Sequence, residues 1–424
     1  MTRDRPLQAV VVGGGAAGLL AAGTAARRGC AVTVVEKNER PARKVGITGK
    51  GRCNVTNDCS VQACVEQVPR NGRFLYSAFS AFTPQDTQAL FESLGVPLKV
   101  ERGSRVFPVS DRARDIVDAL VRFAETGGAR ICRGRVTGLI LRDGVCAGVR
   151  LEGGGEMAAD AVIVCTGGLS YPATGSTGDG YALARQAGHT VVPPRPSLVP
   201  LVSGDPCCGE LQGLSLRNCT LRAMDNVTGK TVYEELGELL FTHFGVSGPL
   251  VLSASAHLRD MAPGRYTLWI DLKPGLPPEK LDARLVRDLE AYKNLHLSNA
   301  LPHLLPRSLI GTVLRRARVS GEKPCNAVTR EERQRLGAVC KAFAVPVEGF
   351  RPIEEAVVTA GGVDVREIEA KTMASKKVWG LYFAGEVLDV DAYTGGFNLQ
   401  IAFSTGAAAG RGIVQRDTRG ETSG

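Results

Sequence analysis

An α/β fold with a parallel sheet is predicted by three features of this 424-residue sequence. First, residues 10–36 (VVVGGGAAGLLAAGTAARRGCAVTVVE) run through an apolar strand, a glycine turn, a helix of small residues and a second strand, the order of a β-α-β unit. Second, an apolar run at residues 161–165 stops at Gly167 and Gly168, as a strand does where its sheet meets a ligand. Third, the composition of 44% hydrophobic and 22% charged residues is ordinary for a globular protein.

The glycine spacing of the first unit predicts a dinucleotide site. Gly13 permits the tight turn after the strand, and Gly15 lets the backbone approach a pyrophosphate. Gly18 lets the helix pack close to the sheet. Glu36 ends the second strand, 18 residues after Gly18, where it can accept hydrogen bonds from a ribose hydroxyl. Because strand, turn, helix and acid all occur in register, we interpret the segment as the start of a Rossmann-like domain.

Changes in composition predict the domain organisation. Four prolines cluster at Pro193, Pro194, Pro196 and Pro200, where a boundary is expected. Short β-rich segments follow, and then helical patterns such as LDARLVRDLEAYKNL. Glycine-rich apolar segments like those of the first 190 residues return in AVVTAGGVDV and GLYFAGEVLDV. We therefore predict a nucleotide-binding domain of residues 1–196 and 352–424 around an insert of residues 197–351, which is β-rich at 197–275 and helical at 276–346.

Charge and cysteine usage narrow the expected partners. The net charge of +9 comes from 52 basic and 43 acidic residues that form no stripe with interleaved aromatics, so no nucleic-acid partner is expected. The sequence holds no run of about 18 apolar residues, so no membrane partner is expected either. The twelve cysteines have no disulfide-framework spacing, which predicts reduced thiols in a cytoplasmic protein. The five histidines lack metal-ligand spacing, so no metal is predicted.

Three further segments combine glycine with polar groups. Residues 43–57 (RKVGITGKGRCNVTN) are expected to form a loop whose cations and amides bind phosphate or a ring carbonyl. Residues 167–181 (GGLSYPATGSTGDGY) follow the buried strand at 161–165 and are expected to contact a cofactor. Residues 383–400 (FAGEVLDVDAYTGGFNLQ) contain a helix start at Gly396, whose free N–H groups suit the negative charge of a reduced flavin ring.

Together these segments resemble the BaiN-like flavoproteins, the family that includes bile-acid Δ4,6-reductase and relatives of aminoacetone oxidase. The resemblance spans nearly the whole chain, with ITGKGRCNVTN, GGLSYPATGSTGDGY, GELLFTHFGVSGPL, VTAGGV and FAGEVLDVDAYTGGFNLQ as its markers. It implies an FAD-binding Rossmann-like domain in two sequence segments, with an inserted domain that is part β-barrel-like and part helical.

The patterns and the resemblance assign cofactor-binding residues. Those before Lys37 would hold the pyrophosphate and the adenosine ribose, and most of the later ones would lie along the flavin. The predicted FAD-binding residues are Gly13, Gly14, Gly15, Ala16, Ala17, Gly18, Glu36, Lys37, Arg43, Lys44, Gly51, Arg52, Cys53, Asn54, Thr166, Gly167, Gly168, Gly385, Glu386, Asp391, Gly396, Asn398 and Leu399.

The predicted function is that of an FAD-dependent oxidoreductase that transfers hydride through flavin N5. The preferred reaction is NAD(P)H-linked reduction of an activated C=C bond in a hydrophobic ketone, with NADH or NADPH visiting the flavin transiently. One alternative is an amine oxidase that produces hydrogen peroxide. Another is a non-catalytic flavin-bound protein that associates with RNA or acts as a sensor. The sequence leaves the oligomeric state open.

Two groups of residues have reactive side chains: His243, and the pair Cys59 and Cys64. His243, in GELLFTHFGVSGPL, is the one candidate catalytic residue, although a structural role beside a glycine-proline turn explains it equally well. Cys59 and Cys64 have the four-residue gap used by flavin-dependent disulfide reductases. The sequence contains no second GxGxxG after a strand and no glycine-threonine context around Cys59. This favours two ordinary thiols, and a redox role stays open.

Overall fold

The computed structural model describes residues 5–413 of the chain. The chain divides into two compact units: unit 1 comprises residues 1–197 and 353–424, and unit 2 comprises residues 198–352. The outer ends of the predicted nucleotide-binding domain, residues 1–4 and 414–424, lie outside the described residues.

Short apolar strands form the sheets of unit 1. Val11, Val34 and Ile163 are fully buried within three of these strands, because β-branched side chains pack well on a pleated surface. The strands of unit 1 are β1 (Gln8–Val12), β2 (Ala31–Glu36), β3 (Thr56–Asn57), β4 (Leu98–Glu101), β5 (Arg105–Pro108), β6 (Arg130–Arg133), β7 (Val136–Arg142), β8 (Val145–Leu151), β9 (Glu156–Ala158), β10 (Ala161–Val164), β11 (Val191–Ser197), β19 (Val358–Val363) and β20 (Leu381–Phe383).

The helices of unit 1 are of two kinds. Amphipathic helices bury one face, as residues 113–126 do with Ile116, Leu120 and Phe123. The helices at residues 16–27 and 397–412 are buried over most of their surface. The helices of unit 1 are α1 (Ala16–Arg27), α2 (Arg43–Ile47), α3 (Val61–Glu66), α4 (Gly72–Ala81), α5 (Pro84–Ser93), α6 (Ala113–Thr126), α7 (Asp179–Gln186) and α14 (Phe397–Gly412).

A five-stranded parallel sheet in the order β20-β10-β1-β2-β6 organises unit 1. β1 lies between β10 and β2, with Val12 opposite both Val164 and Val35. The carboxyl ends of these strands therefore meet at one edge of the sheet, where open α/β sheets bind their ligands. Smaller antiparallel sheets are β3-β5-β4, β7-β8-β9 and β11-β19. The turn between β7 and β8 has positive φ at Asp143 and Gly144.

Small residues explain how two distant segments build one unit. A Cβ atom on Gly406 of α14 would lie 2.4 Å from the carbonyl oxygen of Ala17 in α1. A Cβ on Gly410 would lie 2.5 Å from the carbonyl oxygen of Ala21. The two helices therefore pack backbone against backbone, which larger side chains would prevent. The alanines and glycines of α1 and α14 thus join the first and last parts of the chain.

The prediction of a loop at residues 43–57 is wrong for its first part, because that part is helical. α2 occupies residues 43–47, and a 3₁₀ turn follows at residues 48–51. The backbone N–H of Ala42 donates to the carbonyl of Gly14 at 2.8 Å, and Val45 is buried in the core. These two tertiary contacts stabilise a helix of five residues, which is too short to be stable alone.

Unit 2 combines a seven-stranded antiparallel sheet with a group of helices. The sheet order is β17-β16-β13-β14-β15-β12-β18. Only Glu348 separates β17 from β18 in the chain, so the two edge strands are nearly continuous and the sheet closes on itself like a barrel. The strands are β12 (Leu201–Val202), β13 (Ser215–Asp225), β14 (Lys230–Thr242), β15 (Gly245–Ser247), β16 (Tyr266–Asp271), β17 (Phe343–Val347) and β18 (Gly349–Phe350).

The core of unit 2 is shared by the sheet and its helices. Phe241 and Phe343 are fully buried and meet edge to face at 6.2 Å between ring centroids. Proline begins several helices, where its missing N–H costs no hydrogen bond. The helices are α8 (Pro206–Glu210), α9 (Pro249–Ser255), α10 (Pro278–Ala291), α11 (Leu297–Ala300), α12 (Arg307–Ala317) and α13 (Arg330–Lys341). The predicted α/β fold class is confirmed. Within residues 5–413, the helices all lack the length and apolar character that a bilayer crossing requires.

Candidate dinucleotide-binding site

A cleft with about 1300 Å³ of atom-free space, partly open to solvent, lies at the carboxyl edge of the parallel sheet in unit 1. Its lining comes from the ends of β1, β2 and β10, the first turn of α1, α2 and the start of α14. The predicted residues that line it are Gly13, Gly15, Ala16, Ala17, Glu36, Lys37, Arg43, Lys44, Thr166, Gly167, Gly385, Glu386, Asn398 and Leu399.

The three glycines of the first turn have three different environments. Gly13 has φ +100°, and a Cβ there would lie 2.6 Å from the carbonyl oxygen of Cys165. A Cβ on Gly18 would lie 1.9 Å from the carbonyl oxygen of Gly13, so this glycine lets α1 pack on the turn. A Cβ on Gly15 would meet no atom of the described residues within 4 Å. Gly15 lines the cleft, so its missing side chain leaves space for a ligand rather than for protein packing.

The start of α1 suits an anion. No side chain caps the helix at Gly15, and its first turn carries no acidic residue. Backbone N–H groups at a helix start lack partners within the helix and carry the positive end of its dipole. The cleft therefore offers a phosphate group backbone donors at Ala16 and Ala17.

Glu36 is a buried acceptor that is held in place by backbone groups. Its Oε2 accepts a hydrogen bond from Gly14 N at 2.7 Å. Its Oε1 accepts from both the backbone N and the side-chain Nδ2 of Asn38, each at 2.7 Å. An ionised carboxylate has about four acceptor positions, so one remains for a ligand hydroxyl. Gly14 does not line the cleft, and its N–H instead orients Glu36.

An ion-pair network lies beside Glu36. Lys37 Nζ is 2.7 Å from Asp179 Oδ2, and Arg135 Nη2 is 3.1 Å from Asp179 Oδ1. Burial raises the pKa of Asp179, but hydrogen bonds from Lys37 and Arg135 outweigh it and hold the pKa below its usual value. Arg135 and Asp179 line the cleft but were missed as individual site residues. Asp179 falls within the singled-out segment 167–181, whereas Arg135 is near the cleft because β6 pairs with β2.

A second network links α2 to the end of β20. Lys44 Nζ lies 2.7 Å from Glu386 Oε2 and 2.6 Å from Ser170 Oγ. Glu386 Oε1 also accepts from the backbone N of Thr359 at 2.9 Å. The pair is largely withdrawn from solvent, and both residues line the cleft. Four distant segments of unit 1 are thereby joined at one wall of the site.

The turn before α14 uses its glycines differently from the turn before α1. Gly396 has φ +99°, and a Cβ there would lie 2.4 Å from the backbone of Thr56 in β3. Asn398 holds the preceding loop: its Oδ1 accepts from Ala392 N at 2.9 Å, and its Nδ2 donates to Ala392 O at 2.7 Å. Asn398 and Leu399 line the cleft, whereas Gly396 does not.

Several other predicted residues lie away from the cleft lining. Arg52 pairs with Glu101 and Asp111, and its guanidinium lies 4.2 Å from the ring centroid of Phe107. Cys53 is fully buried, and burial raises the pKa of its thiol to about 12. A Cβ on Gly168 would lie 2.5 Å from Thr359 Oγ1, so this glycine serves packing. The predicted residues outside the lining are Gly14, Gly18, Gly51, Arg52, Cys53, Asn54, Gly168, Asp391 and Gly396.

Asp391 is buried and does not line the cleft. Its Oδ2 accepts a hydrogen bond from Ser197 Oγ at 2.6 Å, and burial raises the pKa of its carboxyl. Burial also raises the pKa of Asp389, although Arg70 Nη2 lies 3.1 Å from its Oδ2. His243, by contrast, is an exposed residue of unit 2 between β14 and β15, with its ring 5.0 Å from that of Phe244. It does not line the cleft.

These features fit an adenine dinucleotide. Thr166 Oγ1 is buried at the end of β10 and has no hydrogen-bond partner among the described residues, although Thr166 lines the cleft. A ligand hydroxyl or phosphate oxygen would satisfy it. The open space at Gly15, the uncapped start of α1 and the partly used carboxylate of Glu36 suit a diphosphate and a ribose. Fold and cleft thus define a Rossmann-like dinucleotide-binding protein.

Comparison with known proteins identifies the family of this chain and its relatives. Residues 7–412 match the family described as HI0933-like protein Rossmann domain. The chain is 32% identical to a ribosomal RNA dihydrouridine synthase of Escherichia coli and 33% identical to one of Haemophilus influenzae. It is 31% identical to a 3-dehydro-bile acid delta(4,6)-reductase of Clostridium scindens. Each alignment covers 96% of this chain and 98% of the relative.

The chain therefore belongs to the HI0933-like family, and its resemblance to the BaiN-like flavoproteins is confirmed. It is an FAD-dependent oxidoreductase, as the sequence predicted. The names of the two synthases leave the expected absence of a nucleic-acid partner open.

Proposed function

We propose that this flavoenzyme reduces a carbon–carbon double bond conjugated to a carbonyl group, with NADH or NADPH as the electron donor. The observation that supports it most is a cleft suited to FAD in a chain with a full-length relative named as a reductase. When bound, FAD supplies hydride transfer at N5 of its ring system.

The residues of the cleft hold and orient the cofactor in this proposal. The amides at the start of α1 bind the diphosphate, and Glu36 accepts from the adenosine ribose. The Lys44–Glu386 pair fixes α2 against the end of β20. Asn398 and Leu399 line the cleft, and their amides at the positive end of the α14 dipole would stabilise negative charge on a bound flavin. Apolar lining residues such as Val358 and Ala402 exclude water.

The substrate that we favour is a uracil ring in ribosomal RNA. Two relatives are named for making dihydrouridine, and the C5–C6 double bond of uracil is conjugated to the C4 carbonyl. Residues 278–341 hold 13 basic and 7 acidic residues, so about two-thirds of the net charge of +9 falls in the helical part of unit 2. Arg318 and Arg335 are exposed there, and Arg335 Nε donates to the carbonyl of Ala317 at the end of α12. Such a surface suits RNA phosphates.

A hydrophobic steroid-like ketone is the second candidate. The relative of Clostridium scindens acts on a 3-dehydro bile acid, whose double bonds are likewise activated by a carbonyl. Both candidate substrates need the same hydride chemistry. They differ in how the protein binds the substrate.

The test uses the FAD-loaded protein under argon with NADH or NADPH. One arm receives ribosomal RNA from cells that lack a dihydrouridine synthase of this family, and the other receives a 3-keto-4,6-diene steroid. Mass spectrometry of nucleosides and steroids detects the gain of two hydrogens. Dihydrouridine formation supports the first substrate, and steroid reduction alone supports the second. Flavin that neither nicotinamide reduces, with no product in either arm, would contradict the proposal.

A further inference from the structure

Two cysteines of unit 1 lie close together outside the cleft. The Sγ atoms of Cys59 and Cys64 are 3.4 Å apart. Cys59 is partly exposed, whereas Cys64 is fully buried. Neither residue lines the cleft. We propose that Cys59 and Cys64 form a reversible thiol–disulfide site that reacts with small disulfides of the glutathione type.

The local backbone brings the two sulfurs together. Cys59 directly precedes Ser60, the N-cap of α3, whose Oγ accepts a hydrogen bond from Ala63 N at 3.2 Å. Cys64 lies one turn into this helix, with its backbone N donating to the carbonyl of Ser60 at 3.0 Å. Side chains in a helix lean toward its N-terminus, so the Cys64 thiol points back toward Cys59. To form a disulfide, the two sulfurs would have to close from 3.4 Å to about 2.05 Å.

The two thiols have unequal roles. The hydrogen bond between the Cys59 and Cys64 thiols lowers the pKa of Cys59 below its ordinary value. The hydrogen bond with Cys59, and then burial, raise the pKa of Cys64. Because the thiolate is the attacking species, the exposed Cys59 is the nucleophile and Cys64 is the resolving thiol.

The proposed exchange is balanced in two steps. The Cys59 thiolate attacks one sulfur of the disulfide RSSR, forms a mixed disulfide and releases one RS⁻, which takes up the proton lost by Cys59. Cys64 then loses its proton and attacks Cys59 Sγ, and the second RS⁻ leaves and takes up that proton. Overall, two cysteine thiols are oxidised to one disulfide, and RSSR is reduced to two RSH.

Other cysteines provide an internal comparison. Cys207 and Cys208 are adjacent in sequence, but both are buried, so a reagent in solution has no access to them. Cys132 is partly exposed, as Cys59 is, and within residues 5–413 its sulfur makes no hydrogen bond. A Cys132→Ser variant is therefore a matched control for general thiol reactivity.

The experiment uses the full-length, FAD-loaded protein in buffers of stepped oxidised-to-reduced glutathione ratio. Remaining thiols are trapped by alkylation after acid quenching and are assigned by peptide mass spectrometry. We expect wild-type protein and Cys132→Ser to form the 59–64 disulfide and lose it on adding dithiothreitol. Cys64→Ser should stop with one glutathione on Cys59, and Cys59→Ser should leave Cys64 unmodified.

Flavin absorbance and thermal unfolding verify that each variant is folded, and Cys64→Ala replaces Cys64→Ser if the serine variant is not. The proposal is overturned if Cys59 and Cys64 both stay alkylatable at the most oxidising ratio. It is also overturned if glutathione adds to Cys59 in the wild type but no 59–64 disulfide follows. Neither result depends on the substrate or electron donor of the enzyme.

Discussion

The glycines before α1 and those before α14 differ in what fills the space beside them. At Gly15 a side chain would project into the open cleft, whereas at Gly396 it would meet the backbone of Thr56 at 2.4 Å. Both helices begin without a side-chain cap, and both begin beside the cleft. A glycine at a helix start therefore serves a ligand in one case and packing in the other. The segment of the chain that packs beside each glycine, rather than the local sequence, decides which of these two roles the glycine has.

The largest expected contrast lies within the first turn, between Gly15→Val and Gly18→Val. The Gly18 variant should fail to fold or lose more than about 4 kcal/mol, because even its Cβ would overlap the Gly13 carbonyl oxygen. Gly15→Val should fold but lose FAD affinity by more than about tenfold, which corresponds to 1.4 kcal/mol. Thermal unfolding and flavin absorbance after gel filtration measure both effects. A Gly15→Val protein that purifies with full flavin would refute the diphosphate assignment.

Alanine at the two helix starts sharpens the comparison. Gly396→Ala should destabilise unit 1 by about 2–4 kcal/mol, because alanine is strained at φ +99° and its Cβ overlaps Thr56. Gly15→Ala should change the free energy of unfolding by less than about 1 kcal/mol, since its φ is −79° and no atom lies nearby. Urea unfolding of the two FAD-free proteins gives the difference. Equal stabilities would show that Gly396 is not a packing residue.

Variants of Asn398 test whether the turn before α14 contributes to FAD binding. Asn398→Ala removes the hydrogen bonds to Ala392 and should cost about 1–3 kcal/mol of unfolding free energy. FAD affinity, measured by fluorescence titration, should fall with it because the helix start is no longer held. Asn398→Asp keeps the acceptor for Ala392 N but replaces the donor to Ala392 O with a second acceptor oxygen, so this variant should also be less stable than the wild type. Wild-type affinity in both variants would remove Asn398 from the proposed site.

The smallest expected effect concerns the buried carboxyl of Asp391 before α14. Because burial raises its pKa in the folded state, the group favours folding at low pH, and this stabilisation is lost as the pH rises through the folded value. Asp391→Asn should therefore lose less stability than the wild type between pH 4.5 and pH 7.5. Urea unfolding at the two pH values measures this loss of stability. An unchanged difference between variant and wild type would show that the charge is compensated.

The α1 turn could be predicted well from sequence because its contacts are local. Gly18 packs on Gly13, and Glu36 accepts from Gly14, all within one β-α-β unit, so their spacing indicates their positions. The spacing does not indicate the contact of Gly13 with the distant Cys165. Arg135 and Arg52 could not be placed in this way. Arg135 lines the cleft because β6 pairs with β2, which lies about 100 residues earlier in the chain. Arg52 forms ion pairs with Glu101 and Asp111. Such partners are distant in sequence, so no local pattern indicates them.

The sequence by itself determined the α/β fold class, the strand–turn–helix that begins the cleft and the flavoenzyme family. These follow from periodicity, glycine spacing and shared motifs, which act over short stretches of chain. Only the tertiary structure decided that Gly396 packs on β3 and that Lys44 pairs with Glu386. The physical reason is that a side chain's role depends on which atoms occupy the space around it, and folding brings those atoms from distant parts of the chain.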